Sequence, residues 1–343
     1  MPASGSKRRV LGRVTILDIA KATGISKSSV SRFLDDRLPP SDSEAARLVR
    51  RTAEELGYVR DVSAASLRRG TTGMIGVIVP RLTDTVMAML YEALARAAQR
   101  TGRFTIVATT EDEPEADRRA AAMLLARGVD GLVLSTTRSG DRFADDLKER
   151  GVPFVLALRT DGRSPSSVGD DRLGGYLATR HLIDLGHRRI GLIAGPAYAS
   201  SAAGRVAGYR SAMEEAGIGI DPRWIVQSTF GIDAGHQAAT TLMKLTDRPT
   251  AIFAVNDNTA IGALSALAQL DYSVPEDVSV VGYNDIPIVS HLPMPLTSVR
   301  VPFDQIATST LELLVGKKEH SEPAVRVAAP TLIPRRSTAR CSG

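Results

Sequence analysis

Residues 15–34 read Thr15-Ile16-Leu17-Asp18-Ile19-Ala20-Lys21-Ala22-Thr23-Gly24-Ile25-Ser26-Lys27-Ser28-Ser29-Val30-Ser31-Arg32-Phe33-Leu34. Two short amphipathic helices joined by a tight turn account for every position. In the first, about Ile16–Thr23, the residues Ile16, Ile19 and Ala20 recur on one face at helical spacing. Ala20 is small where a second helix must come close. Gly24 supplies the left-handed conformation that ends a helix, and Ile25 belongs inside the turn. Ser26 is the expected N-cap of the second helix, whose inner face is Val30, Phe33 and Leu34. Its outer face is short, polar and basic. This is a helix-turn-helix layout, in which the first residues of the second helix lie on base edges in the major groove of DNA. Lys27, Ser28 and Arg32 are the expected base-reading residues, and Ser26, Ser29 and Ser31 the expected phosphate contacts. An ordinary αα-hairpin shares the small residue, the glycine and the β-branched residue, so spacing alone does not decide.

Charge does. Residues 1–70 hold 14 Lys and Arg against 8 Asp and Glu, whereas the other 273 residues hold 29 against 30. The whole basic excess of this 343-residue chain lies in its first fifth. That is the electrostatic footprint of a small nucleic-acid-binding module attached to a neutral body. A basic solubilising tail would explain Lys7 to Arg13 but not the patterned stretch after it. Residues 1–13 are expected to be a disordered tail and residues 14–60 the helical module. After Pro39-Pro40, Ser41 and Glu44 predict a capping box for a third helix. Leu48, Val49, Thr52 and Leu56 are its expected core stripe, and Gly57 its end. Residues 61–71 read as a linker. It is either a solvated tether or a helix that folds on DNA with Leu67 wedged into the minor groove; composition alone favours the tether.

From Met74 onward, apolar runs alternate with amphipathic stretches. Strands are expected at Met74–Val79, Arg103–Ala108, Gly131–Leu134, Pro153–Leu158, Arg189–Ala194, Ile225–Thr229, Ala251–Val255 and Val278–Gly282. Helices are expected at Met87–Arg100, Ala116–Arg127, Gly174–Leu185, Arg205–Ala216 and Asn258–Leu270. Such alternation implies buried parallel sheets with helical crossovers. About 250 residues is long for one open sheet, so two doubly wound lobes are expected, with a boundary at Thr160–Pro165. Ligands of such sheets bind beyond the carboxyl ends of the strands, which makes a cleft between lobes the natural site.

The same chain excludes several classes. It has no run near the ~18 apolar residues a membrane helix needs, and no apolar segment follows Lys7-Arg8-Arg9, so neither a membrane protein nor an exported one is expected and cytoplasm is the default. A single cysteine, Cys341, and five scattered histidines offer no disulfide and no metal spacing; no metal and no cofactor is expected. A doubly wound enzyme would need a GxxxxGK[ST], GxGxxG or GxSxG motif, and the sequence has none of them. A periplasmic sugar-binding protein would need an export signal where this chain has a helix-turn-helix. The sequence has no leucine-heptad tail, so a tetramer made by a coiled coil is not expected.

Taken with Ala53-Glu54-Glu55-Leu56-Gly57-Tyr58, the opening stretch resembles the lactose-repressor (LacI/GalR) family of bacterial regulators. The resemblance continues through DDRLGGYLATRHLIDLGHRRIGLIAG (170–195), GRVAGYRSAMEEAG (204–217), FAVNDNTAIGAL (253–264), VPEDVSVVGYND (274–285), PLTSVR (295–300) and LIPRRST (332–338). It implies an all-α helix-turn-helix headpiece plus an α/β two-lobed core resembling periplasmic binding proteins. That core, residues 72–343, would bind effector and dimerise. The chain would cross between lobes four times, with one lobe at about 72–160 and 290–320 and the other at 161–289 and 321–343. The implied partners are double-stranded operator DNA, a sugar-like small effector and a second copy of the chain. The implied activity is effector-controlled repression. Leu67, with Ala64 and Arg68, falls on the family's minor-groove hinge, which reverses the preference for a tether.

Effector contacts of the family map onto Arg205, Asn256 and Asn284, with Phe230 as an aromatic cover. A guanidinium and an amide can bridge vicinal hydroxyls while a ring face covers the apolar side. Asp171 and Asp257 are expected to cap helices rather than touch ligand. Four departures stand out. Arg60-Asp61 replaces the usual Pro-Asn, and Ala65 the usual Arg, at the hinge. Asp84-Thr85-Val86 replaces Asn-Pro-Phe after the first strand. Asn284 replaces an aspartate, which either favours a ligand offering an acceptor there, such as a carbonyl, carboxylate or phosphate oxygen, or leaves a weaker contact to a sugar.

Overall fold

The structure, a computed structural model, describes residues 14–35, 38–59, 71–316 and 325–341. The expected tail at 1–13 and the hinge residues Ala64, Leu67 and Arg68 lie outside the described residues. The chain divides into two compact units, Met1–Thr72 and Gly73–Gly343.

In the first unit, helices α1 (Ile16–Thr23), α2 (Lys27–Phe33) and α3 (Glu44–Glu55) follow one another. Thr15 and Asp18 form a reciprocal capping box at α1, with the Thr15 amide 2.8 Å from the Asp18 carboxylate. Gly24 closes α1 at φ 68°, the left-handed conformation that glycine adopts without a Cβ clash. The Ser26 hydroxyl accepts from the Ser29 amide at 3.3 Å and so caps α2. Ile19, Val30, Val49 and Ala53 form the buried centre, surrounded by Ile16, Ala20, Ile25, Phe33, Leu34 and Tyr58.

Two expectations for α3 are corrected. Its N-cap is Ser43, whose hydroxyl accepts from the Ala46 amide, and Ser41 instead hydrogen bonds to Ser43. Its inward face is Ala46, Val49 and Ala53, while Leu48 and Leu56 are 39% and 41% exposed in this unit. Leu48, two residues on, lies about 200° round the helix from Ala46 and so near the opposite side, and the leucine periodicity pointed to the wrong face.

The second unit contains two six-stranded sheets. The first holds β1 (Met74–Val79), β2 (Phe104–Thr109), β3 (Gly131–Leu134), β4 (Phe154–Ala157), β5 (Ser166–Gly169) and β11 (Val325–Ala328), in the order β11-β5-β4-β3-β1-β2, all parallel. The second holds β6 (Ile190–Ala194), β7 (Ile225–Gln227), β8 (Ala251–Ala254), β9 (Ser279–Asn284), β10 (Thr297–Arg300) and β12 (Thr331–Ile333), in the order β12-β10-β9-β8-β6-β7, with β12 alone antiparallel. Helices α4 (Thr85–Arg100), α5 (Pro114–Ala126), α6 (Phe143–Glu149), α7 (Asp171–Asp184), α8 (Ser200–Glu215), α9 (Ile232–Met243), α10 (Asp257–Gln269) and α11 (Phe303–Val315) cover the sheets. The central strands β1, β3, β4, β6, β8 and β9 are buried along almost their whole length, as strands covered on both faces must be.

The lobe boundaries differ from those expected. The first crossing follows Gly169, not the Thr160–Pro165 stretch, because Ser166–Gly169 is a fifth parallel strand of the first sheet. Its sequence, Ser-Ser-Val-Gly, is fully buried yet has almost no apolar signal. Strand β10 belongs to the second sheet, which moves the second crossing beyond Arg300. The third lies between β11 and β12, so the described chain changes sheet three times rather than four.

Helices α7 and α8 touch backbone to backbone. A Cβ on Gly175 would collide with the Arg205 backbone, and one on Gly208 with the Arg172 carbonyl and the Tyr176 amide. This contact fixes where Arg205 emerges from α8.

Candidate effector cleft and DNA-reading surface

On the headpiece, Lys27, Ser28 and Arg32 are exposed on α2, as is the cap Ser26, while Ser29 and Ser31 are half-buried. The Ser26 hydroxyl lies 3.1 Å from that of Ser28 and 3.0 Å from that of Ser29. The serines at the start of α2 thus form one hydroxyl cluster. Such a cluster, at the positive end of a helix, suits phosphate oxygens.

In the second unit a cavity of about 860 Å³ opens between the two sheets, large enough for a small metabolite. It lies at the carboxyl ends of the strands. Asp84 follows β1, Arg138 follows β3, Arg159 follows β4, Tyr198 follows β6, Asn256 follows β8, and Asn284 ends β9.

Arg205 sits one turn into α8 and is 7% exposed. Its Nε donates to Asp171 at 2.8 Å, its Nη1 donates to the Val255 carbonyl at 2.7 Å, and its guanidinium stacks 3.8 Å from the centre of the Tyr283 ring. Burial works against the charge of Arg205, but Asp171 and Tyr283 together more than offset it and its pKa lies above the ordinary value. Burial also lifts the Asp171 carboxyl, outweighing the pull of Arg205. Within so close a pair the total charge is zero whichever partner holds the proton. Asp171 is therefore a partner of Arg205 and not a cap. The cap of α7 is Asp170, which accepts from the Leu173 amide at 2.9 Å.

Asn256 lines the cavity, but its amide is already engaged. Oδ1 accepts from the Thr259 amide and hydroxyl, both at 2.9 Å, and Nδ2 donates to the Phe230 carbonyl at 3.0 Å. It caps α10 and holds the Phe230 loop in place. Asp257 is buried beneath it, accepting from the Ile286 amide at 2.8 Å and the Ser298 hydroxyl at 2.6 Å. Phe230 is half-buried against the cluster of Ala199, Ala202 and Val255, with Arg159 5.7 Å from its ring centre. Asn284 differs from both. It is 4% exposed, lines the cavity, and its side chain makes no hydrogen bond to any described residue.

Sequence reasoning missed the group on the other side of the cleft. Arg159 binds Asp112 through both terminal nitrogens, at 3.0 and 3.3 Å, and Tyr198 donates to the same carboxylate. Arg138 stacks on the Tyr198 ring at 4.1 Å. Backbone strain marks the same region. Of six non-glycine residues with positive φ among those described, Glu111 (56°), Asp112 (65°), Leu158 (63°) and Asn284 (103°) line the cavity. Strain of this kind persists where the surrounding structure holds a side chain in a required position. A leucine carries no sequence signal for such a conformation.

A helix-turn-helix unit and a two-lobed binding core in one chain define a ligand-responsive DNA-binding regulator. A family model described as a periplasmic binding protein-like domain matches residues 179–338. The ribose operon repressor of Haemophilus influenzae is 32% identical over 329 residues, covering 94% of this chain and 98% of the relative. A solved cellobiose complex of the transcriptional regulator CelR superposes with a TM-score of 0.72 at 29% identity, covering 95% of this chain and all of that one. The lac repressor dimer bound to operator and an anti-inducer superposes with a TM-score of 0.85 at 26% identity, covering 96% and 100%. The chain belongs to the LacI family of transcriptional regulators; it is a DNA-binding repressor with an effector-binding core, and not an enzyme. No helix among the described residues is long and apolar enough to cross a membrane.

Proposed function

We propose that this chain acts in the cytoplasm as a homodimer that seats two headpieces on a near-palindromic operator and changes its grip when a small polar effector fills the cleft. Lys27, Ser28 and Arg32 read base edges, and Ser26, Ser29 and Ser31 meet phosphates. Leu67, with Ala64 and Arg68, enters the minor groove at the operator centre. In the cleft, Arg205 and Asn284 bind the effector, Phe230 covers it, and Asn256 orders the wall that carries Phe230.

The observation that carries this reading is the cavity itself. It lies between two lobes joined by three crossings and is lined from both. A ligand held by both lobes biases their relative arrangement by its differential affinity for the two states. The test is operator binding by the full chain, measured by fluorescence anisotropy, with and without a ligand shown to occupy the cleft. The reading expects a change of about 5–150-fold, in either direction. Unchanged operator affinity with the cleft saturated contradicts it.

A further inference from the structure

We infer that the ligand carries an anionic oxygen group, a carboxylate or a phosphate, seated against Ser201, Arg205 and Asn284 with a hydroxylated body toward the mouth of the cleft. This rests on the reading of the cleft as an effector site.

The first observation is a pair of polar side chains that open on the cavity. Ser201 is 6% exposed and Asn284 4% exposed. Both line the cavity, and neither side chain makes a hydrogen bond to a described residue. Their polar atoms open on the cavity, so a ligand oxygen can take the place of water on both.

The second is the start of α8. This 16-residue helix has Ala199 at its cap, which brings no side-chain oxygen to the first-turn amides. Those amides have no acceptor within the helix and stand at the positive end of its dipole. Ser201 lies in that first turn, and Arg205 follows one turn later on the same face. A hydroxyl, free amides and a guanidinium together make a donor set for an anionic oxygen.

The third is the distribution of charge. Deep in the cleft, Arg138, Arg159 and Arg205 face Asp112 and Asp171, and both carboxylates are already held by arginine. Asp84, the other inner carboxylate, accepts from the Val86 amide and the Asn258 amide. Both bonds fall on Asp84 Oδ1, so Oδ2 is open to a hydroxyl of the ligand's body. The uncommitted carboxylates, Glu111, Glu113 and Asp233, are exposed at the mouth. There they would repel an anionic group and accept from hydroxyls. The acid end therefore goes inward and the hydroxyls outward.

The experiment is calorimetric titration of the full chain with two matched series: glucose, gluconate and glucose 6-phosphate, then ribose, ribonate and ribose 5-phosphate. At least one acid or phosphate should bind where its neutral parent does not, and the arm that binds identifies carboxylate or phosphate as the source. Ser201→Ala should weaken that binding about tenfold. Asn284→Asp should weaken it at least as much by placing a like charge beside the anion, and the unfolding curve of each variant without ligand checks that it folds. A neutral sugar binding as well as its acid, or no binding by any acid or phosphate, overturns the inference. If the neutral sugar that binds also shifts operator affinity, the effector reading survives this failure. A cleft ligand that leaves operator affinity unchanged sinks the effector reading instead.

Discussion

The Tyr198 hydroxyl donates a 2.8 Å hydrogen bond to the carboxylate of Asp112, and the two residues stand on opposite lobes. Tyr198 lies on the loop after β6. Asp112 follows β2 at φ 65°, pinned by Arg159. The Tyr198 carbonyl also accepts from the Ser139 amide at 2.9 Å, and Ser200 accepts from the Thr160 amide at 2.9 Å. One loop of the second lobe therefore clasps the first lobe beside the cavity. Tyr198→Phe removes the hydrogen bond but keeps the ring beneath Arg138. It should favour open lobes by about 1 kcal/mol, seen as a larger radius of gyration by small-angle scattering of the ligand-free chain. Unchanged scattering would show that the other contacts suffice.

Gly208→Ala tests the α7–α8 contact. The added methyl would meet the Arg172 carbonyl and the Tyr176 amide, which are backbone atoms that move only with their helix. Separating the helices should destabilise the chain by about 1–3 kcal/mol and displace Arg205. Chemical denaturation reads the first effect and effector affinity the second.

Asp257 gives a pH dependence whose sign is fixed. Burial lifts its carboxyl from 3.8 to about 7. Over that interval the folded chain keeps a proton that the unfolded chain has lost, so stability from this group is highest below the lower value. It declines as pH rises through the interval and stays low above about pH 7. Asp257→Asn should flatten the fall in unfolding midpoint between about pH 4 and 7. An unaltered slope would assign that fall to other groups.

Much of the fold was legible because burial on both faces writes itself into sequence. The runs at Met74–Val79 and Gly131–Leu134 appear as strands with the expected ends. Strand β5 was not legible, since its buried serines are satisfied by backbone carbonyls rather than by apolar packing: Ser166 donates to the nearby Ser164 carbonyl and Ser167 to the Ile306 carbonyl on α11. In the cleft, Arg205 and Asn284 were found only through resemblance. The Asp112, Arg159 and Tyr198 group was not found at all, because it joins residues 47 and 86 positions apart that carry no local pattern. Asn256 shows the reverse limit: its position was foreseen, but its amide hydrogen bonds within the protein.

On the headpiece, Arg32 is exposed on α2, on the expected reading face. Arg32→Ala should cost about 1–3 kcal/mol on the preferred operator and much less on random DNA. Equal losses on both would make it a phosphate contact.

The most direct test compares operator affinity of the intact chain with that of a fragment holding residues 1–72, at one salt concentration, on DNA selected by the intact chain. If the core pairs two headpieces, the intact chain binds at least about 100-fold more tightly through effective concentration. Equal, sequence-selective binding by the fragment would contradict the account.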